Sequence, residues 1–131
     1  MSTAAGLPPG LLMWPSSSSE GLAEVLDGAR ARGCFIARTG SAAEDDRFDV
    51  LRRIGRALSF PAWYRPNWDA FSDCLHDLSW LDVGPRLVIV DGTESLRCEE
   101  DDSAQVLVEI LARACWFWAG TPSPLTVVLA G

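Results

Sequence analysis

Hydrophobic residues recur every three or four positions in four segments of the chain, a spacing that is typical of amphipathic helices. Three shorter apolar runs are typical of buried strands. The predicted helices cover residues 20–32, 47–58, 67 to about 81–84, and 103–118, and the predicted strands cover residues 34–39, 86–91 and 125–130. Because helices separate consecutive strands, we predict an α/β protein with a small three-stranded parallel sheet that is flanked by helices and joined by right-handed crossovers.

Residues 1–19 lack this periodicity and are rich in proline, glycine and serine. We predict a flexible leader over residues 1–19 and a single domain over residues 20–131, which is long enough to fold without disulfide bonds. The four cysteines are spaced too widely for a CxxC metal or redox motif: they are Cys34, Cys74, Cys98 and Cys115. The chain shows neither a signal-peptide pattern nor an apolar run of membrane-spanning length. These features predict a cytoplasmic protein with no membrane contact.

The net charge is −7, and the excess of acidic over basic residues lies in one part of the chain. Residues 66–112 carry eleven acids and two arginines, whereas residues 1–65 carry seven acids and eight arginines. A direct role in nucleic-acid binding is not expected, because contact with phosphates requires a basic patch. The acidity either serves solubility alone or complements a cationic partner, whose capture by diffusion it would accelerate.

A row of three aspartates marks the helix that begins near Asn67. Asparagine is a favourable N-cap, because its side-chain oxygen can accept an unpaired N–H of the first turn. Asp69, Asp73 and Asp77 follow at intervals of four and therefore share one face of the predicted helix. Like charges at this spacing destabilise a helix by about 0.2–0.5 kcal/mol per pair. The row is therefore not explained by the stability of the helix.

Three aromatic residues, Trp63, Tyr64 and Trp68, accompany these carboxylates. No arginine lies between Arg65 and Arg86 to neutralise the row from within the segment. Uncompensated carboxylates beside aromatic rings favour a surface that binds a cationic partner. The alternative is a simple solvated acidic face.

Most signatures of an enzyme are missing, including a glycine-rich phosphate loop. The only histidine, His76, lies two positions from Cys74 and therefore about 200° around the helix, so the two side chains cannot form a nucleophile–base pair. Asp69 and Asp73 could form a glycosidase-type pair or hold a divalent metal, but a single helix face rarely supplies the necessary groups. We therefore expect no enzymatic activity, no metal and no cofactor.

Residues 60–75, FPAWYRPNWDAFSDCL, resemble the signature of barstar and the barstar-like ribonuclease inhibitors. That signature is a hydrophobic residue and proline, two aromatic residues, a short turn, and then Asn-x-Asp-Ala-hydrophobic-x-Asp-Cys-Leu. The matching residues are Phe60, Pro61, Trp63, Tyr64, Asn67, Asp69, Ala70, Phe71, Asp73, Cys74 and Leu75. The predicted order of elements agrees with the family from about residue 34 onward, so that the N-terminal helix is an addition to the minimal barstar-like fold.

The resemblance implies inhibition of a basic extracellular ribonuclease of the barnase type, a microbial guanyl-specific enzyme, by a monomer that forms a 1:1 complex. It implies that Asp73 meets the catalytic cluster of arginines and histidine, and that Asp69 pairs with the arginine that recognises the guanine region. Trp63 would stack on the catalytic histidine, while Asn67 and Trp68 would contact the rim of the site. The acidic helix would then mimic the RNA phosphate.

Two departures from the family pattern bear on the partner. Arg65–Pro66 stands where the family commonly has glycine and a polar residue, and Ala112 and Arg113 stand near the position of an acidic contact on the last helix. Asp77 and Asp82 are the candidates to replace that contact, and we include Asp77 among the predicted partner-binding residues. The alternative function is an immunity or regulatory module of the same fold that binds a different basic protein.

Overall fold

Four parallel strands form the centre of the computed structural model, which describes residues 10–14, 19–40, 47–93 and 103–131. The strands are β1 (Gly10–Trp14), β2 (Phe35–Gly40), β3 (Arg86–Asp91) and β4 (Leu125–Ala130). The helices of the described ranges are α1 (Ser19–Ala31), α2 (Arg47–Ala57), α3 (Trp68–Leu75) and α4 (Ser103–Trp118). The strand order is β1-β4-β3-β2, and each neighbouring pair is parallel.

The α/β class, the parallel sheet and the flanking helices are confirmed, but the predicted number of three strands is wrong. The described residues contain a fourth strand, β1, within the segment that was predicted to be a flexible leader. β1 pairs with β4 in a parallel register that sets Leu12 opposite Val128. Its side chains alternate between the two faces of the sheet, so that Leu11 contacts one hydrophobic core while Leu12 and Trp14 contact the other.

Hydrophobic cores cover both faces of the sheet. In β3, Val88 and Val90 pack with residues of α2, α3 and α4, whereas Leu87 and Ile89 pack with residues of α1. This burial on both faces explains why β3 is an unbroken apolar run in the sequence. The additional N-terminal helix therefore covers a sheet face of its own, and α3 lies on the opposite face.

None of the helices in the described ranges is long and apolar enough to cross a membrane. The bounds of β3, α4 and β4 agree with the predicted bounds, and α1 and α2 agree to within a residue or two. The predicted N-cap of α2, Asp46, and the cysteine Cys98 lie outside the described residues. The main difference concerns α3, which was predicted to continue to residues 81–84 and instead ends at Leu75.

Candidate partner-binding site

The helix α3 begins at a side-chain cap. Asn67 has an extended backbone, with φ −127° and ψ 163°, and its side-chain oxygen accepts the backbone N–H of Ala70 at 2.8 Å. Phe71, Cys74 and Leu75 on one side of the helix are buried in the sheet core. The core contacts thus fix the helix and leave its opposite side in solvent.

Replacement of Asn67 by alanine should lower the free energy of unfolding by about 1 kcal/mol, because the first turn of α3 would lose its cap. Serine can accept the same hydrogen bond, so Asn67→Ser should recover most of the loss. Chemical denaturation of the three proteins measures both effects. Equal stability of wild type and Asn67→Ala would show that the cap observed at 2.8 Å contributes nothing measurable.

Asp69 and Asp73 lie on the solvent side of α3, and both side chains are exposed. Within the described parts of the chain, neither carboxylate forms an ion pair. Burial raises the pKa of the neighbouring Cys74 thiol, and the negative charges of Asp73 and Asp77 raise it further. Asp69 and Asp73 are therefore not neutralised by a cation within the described residues, as the sequence predicted.

Asp77 is exposed but does not belong to the helix, so the prediction of three carboxylates on one helical face is wrong in this position. The helix ends at Leu75, and His76 is its C-cap, with φ −90° and ψ −4°. Leu78 then has a φ of 48°, in the left-handed region, which is uncommon for a residue with a side chain. Its side chain is fully buried, so burial offsets the strain of this backbone conformation.

Two of the three aromatic residues near α3 are partly buried, and one is free to contact a partner. Trp63 is 59% exposed, whereas Trp68 packs against the sheet core. Tyr64 donates a hydrogen bond to the carbonyl oxygen of Leu51 at 3.1 Å, and burial raises the pKa of its phenol. Its ring lies so close to Gly55 that a Cβ there would come within 2.9 Å of it. Tyr64 therefore anchors the turn before α3 rather than extending its exposed surface.

Arg65 lies in the same turn and is exposed. Its side chain donates a hydrogen bond to the carbonyl oxygen of Tyr64 at 3.3 Å. Among the described residues it forms no ion pair with the aspartates of α3. The positive charge thus stands beside the acidic face without neutralising it.

The end of α3 is held by contacts that the sequence analysis did not anticipate. Trp118, the last residue of α4, donates an indole hydrogen bond to the carbonyl oxygen of Leu75 at 2.8 Å. The guanidinium of Arg86 lies 5.2 Å from the centre of the Trp118 ring and is 4% exposed as a residue. Burial lowers the pKa of Arg86, and one of its nitrogens donates to the carbonyl oxygen of Asp82 at 3.0 Å. No local sequence pattern signals the two contacts of Trp118, because Leu75 and Arg86 are both far from it in the chain.

The exposed position of the two helical carboxylates suits contact with another macromolecule. A cleft of about 340 Å³ is lined by Gly33, Phe35, Trp80, Leu81, Asp82, Val83, Gly84 and Pro85, so it includes neither Asp69 nor Asp73. In the described ranges, no three His, Cys, Asp or Glu side chains come together in a group that could hold a metal ion. Trp63 lies in the turn before α3, Asn67 caps the helix, and Asp69 and Asp73 are exposed on its first and second turns. Asp77 follows the helix.

The fold and this surface define a small parallel α/β protein that presents two carboxylates on the solvent side of one helix and an exposed tryptophan in the turn before it. The family model described as Barstar (barnase inhibitor) matches residues 36–130, and the chain belongs to the barstar family. This confirms the resemblance carried by residues 60–75. The match begins within β2, so β1 and α1 precede it. A comparison with curated proteins found no match to the chain. The barstar family is one of barnase-type ribonuclease inhibitors, and it is not a family of enzymes.

Proposed function

We propose that this protein inhibits a basic extracellular ribonuclease of the barnase type by placing α3 in the active site of the enzyme. The observation that carries the proposal is the pair Asp69 and Asp73, exposed one turn apart on a helix whose other side is fixed in the core. Neither carboxylate is paired with a cation in the described residues. A ribonuclease active site offers the missing cations, since it is built to hold phosphate.

The two carboxylates of α3 destabilise the free helix but would stabilise a complex with a cationic partner. In the free protein the two aspartates repel each other, at a cost of about 0.2–0.5 kcal/mol for this spacing on a helix. In the complex, cations of the enzyme would replace this repulsion by attraction in a site with little water. The acidic helix would thus mimic the phosphate of RNA without being cleaved.

Each predicted contact residue has a place in this proposal. Asp73 faces the catalytic arginines and histidine, and Asp69 faces the arginine of the guanine site. Trp63 stacks on the catalytic histidine, which its 59% exposure makes possible. Asn67 and Trp68 contact the rim, Trp68 through the part of its ring that remains accessible. Asp77 contributes from the turn that follows α3 and adds to the negative potential there.

The protein is further proposed to act in the cytoplasm as a monomer that forms a 1:1 complex. The described cysteines support a reducing compartment, because Cys34, Cys74 and Cys115 are all free thiols. Burial raises the pKa of the Cys115 thiol to about 11, so this cysteine behaves as a small core residue and not as a reactive thiol. A cytoplasmic inhibitor would protect the RNA of the cell from copies of the extracellular nuclease that are still inside the cell.

Inhibition assays with a panel of barnase-type guanyl-specific ribonucleases test this function. RNA cleavage by at least one enzyme should disappear when the protein is added in a near-stoichiometric amount. The association rate should fall as salt is raised, because opposite charges on the two proteins accelerate their encounter. Full activity of every enzyme in the panel would contradict the proposal.

The exposed Arg65 favours a second candidate, a regulatory or immunity module that binds a different basic protein. A positive charge beside the acidic face would oppose a uniformly cationic cleft and so redirect specificity. Affinity capture with the full chain separates the two functions. Recovery of a basic protein without nuclease activity, in place of a ribonuclease, would support this second candidate.

A further inference from the structure

Two large aromatic side chains lie exposed at the end of α4, close to the end of α3. Trp116 is 83% exposed and Phe117 is 49% exposed. We call the surface formed by Trp116 and Phe117 the aromatic ledge. Single exposed hydrophobic residues are normal on a protein, but two large aromatic side chains exposed at consecutive positions of one helix expose the kind of apolar surface that marks interaction sites.

The aromatic ledge adjoins the acidic surface through His76. The ring of Phe117 meets the ring of His76 edge-on, with 5.0 Å between the ring centres. His76 is the C-cap of α3 and lies in the chain between Asp77 and the last helical turn, which carries Asp73. Phe117 therefore reaches the end of α3 at the residue that directly precedes Asp77, so the aromatic ledge borders the acidic surface there.

Packing contacts hold the base of the aromatic ledge in place. The Phe117 ring also meets the Trp118 ring edge-on, with 5.1 Å between centres. Trp118 is itself tied to the end of α3 by its hydrogen bond to the Leu75 carbonyl oxygen. A side chain that is already ordered loses little conformational freedom on binding, so Phe117 is suited to act as a preformed contact.

We propose that the aromatic ledge is a second contact surface for the same basic ribonuclease, and that it packs against apolar side chains on the rim of the cationic cleft. This inference rests on the proposed function. Interfaces combine polar contacts with desolvated aromatic anchors, and tryptophan is enriched among the residues that dominate binding. The partner is thus expected to present cations to α3 and an uncharged, apolar flank to α4.

The charge around the aromatic ledge supports this division. Arg113 lies three residues before Trp116 and four before Phe117, which makes it their neighbour on the surface of α4. Its side chain is exposed, so it would repel a cation of the partner at this position. The cations of the enzyme therefore fit over Asp69 and Asp73, while an apolar flank fits over the aromatic ledge.

Binding measurements with a barnase-type ribonuclease that the full chain inhibits test the inference. Trp116→Ala should raise the Kd by about 10-fold or more, mainly through faster dissociation. The loss should be nearly the same at low and high salt, whereas the loss caused by Asp73→Ala should shrink as salt screens the charges. Trp116→Phe should recover part of the affinity, because it keeps an aromatic contact.

Met13→Ala provides the matched control. Met13 is 50% exposed, and Phe117 is 49% exposed. Met13 lies toward the carboxyl end of β1. α4 ends before β4 begins, so the aromatic ledge lies at the opposite, amino end of the parallel strands. Met13→Ala should leave the Kd for the ribonuclease unchanged.

The outcomes separate this inference from the proposed function. Unchanged affinity of Trp116→Ala and Phe117→Ala, together with weak binding by Asp73→Ala, would overturn the role of the aromatic ledge and leave the proposed function intact. Failure of the wild-type chain to bind any ribonuclease of the panel would overturn both. Loss of self-association in Trp116→Ala, with no change in ribonuclease affinity, would assign the ledge to a second copy of the chain and overturn the inference.

Discussion

Replacement of Asp73 by alanine should weaken ribonuclease binding more than any other single substitution on α3. Asp73 is exposed and forms no ion pair in the described residues. In the proposed complex it contacts the catalytic arginines and histidine of the ribonuclease. Truncation of a central contact residue of this kind typically costs about 2 kcal/mol or more, which is about 30-fold in Kd. The loss includes the cost of leaving the cations of the enzyme buried without a partner. Calorimetric or kinetic titration of the inhibited ribonuclease measures it.

The same substitution should leave the fold intact or slightly stabilise it. Removal of Asp73 relieves its repulsion with Asp69, which corresponds to about 0.2–0.5 kcal/mol. Asp27→Ala is the control for net charge, because it removes one exposed carboxylate, paired with Arg30 at 3.6 Å, from α1 on the other face of the sheet. An unchanged Kd for Asp73→Ala, or an equal loss for Asp27→Ala, would reject the assigned site and leave only a general effect of net charge.

Replacement of Phe71 by alanine should cause the largest loss of stability among the substitutions in α3. The Phe71 side chain is fully buried and lies in the core between the sheet, α3 and α4. Loss of a buried phenylalanine ring typically lowers the free energy of unfolding by about 3–5 kcal/mol, through lost burial and the cavity that remains. Since domains are stable by only about 5–15 kcal/mol in total, this is a large share.

Chemical denaturation measures this effect, and Phe71→Leu is the control. Leucine fills part of the cavity and should lose clearly less stability than alanine. Phe71 is also 6.3 Å from Phe60 between ring centres, so its removal should loosen the turn that carries Trp63. A loss of less than about 1 kcal/mol for Phe71→Ala would show that α3 is not anchored by this residue.

The parts of the fold that were predicted correctly are those in which local pattern and tertiary burial agree. β3 and β4 are continuous apolar runs because both of their faces are covered, and α4 has a regular apolar stripe bounded by glycine and prolines. The start of α3 was predicted from Asn67, since an N-cap is a local hydrogen bond that a single residue type reports. The match to the barstar family over residues 36–130 covers all of these elements.

The parts that were missed depend on contacts between distant residues. β1 is a strand because β4 offers it a backbone ladder, and five residues among prolines and serines carry no periodicity that reports such pairing. The early end of α3 depends on the burial of Leu78 in a left-handed conformation, although apolar spacing alone extends the helix past it. The hydrogen bond from Trp118 to Leu75 spans 43 residues.

The residues of the acidic surface were predicted from the sequence, whereas their arrangement became visible only in the structure. Asp69 and Asp73 share the exposed side of α3 as their spacing indicates, but Asp77 lies beyond the C-cap. Tyr64 belongs to the aromatic motif in sequence, whereas the close approach to Gly55 shows that it serves packing. Sequence spacing therefore identified the two carboxylates of α3, and burial distinguished the exposed ring of Trp63 from the packed ring of Tyr64.

A competition measurement tests directly whether α3 occupies the substrate site of a ribonuclease. The Kd of the protein for a ribonuclease that it inhibits is determined at increasing concentrations of a guanosine mononucleotide that binds the active site. The apparent Kd should rise linearly with the nucleotide concentration from its value without nucleotide, because nucleotide and α3 exclude each other. An apparent Kd that stays constant up to saturating nucleotide would place the inhibitor elsewhere on the enzyme and contradict the insertion of α3 into the active site.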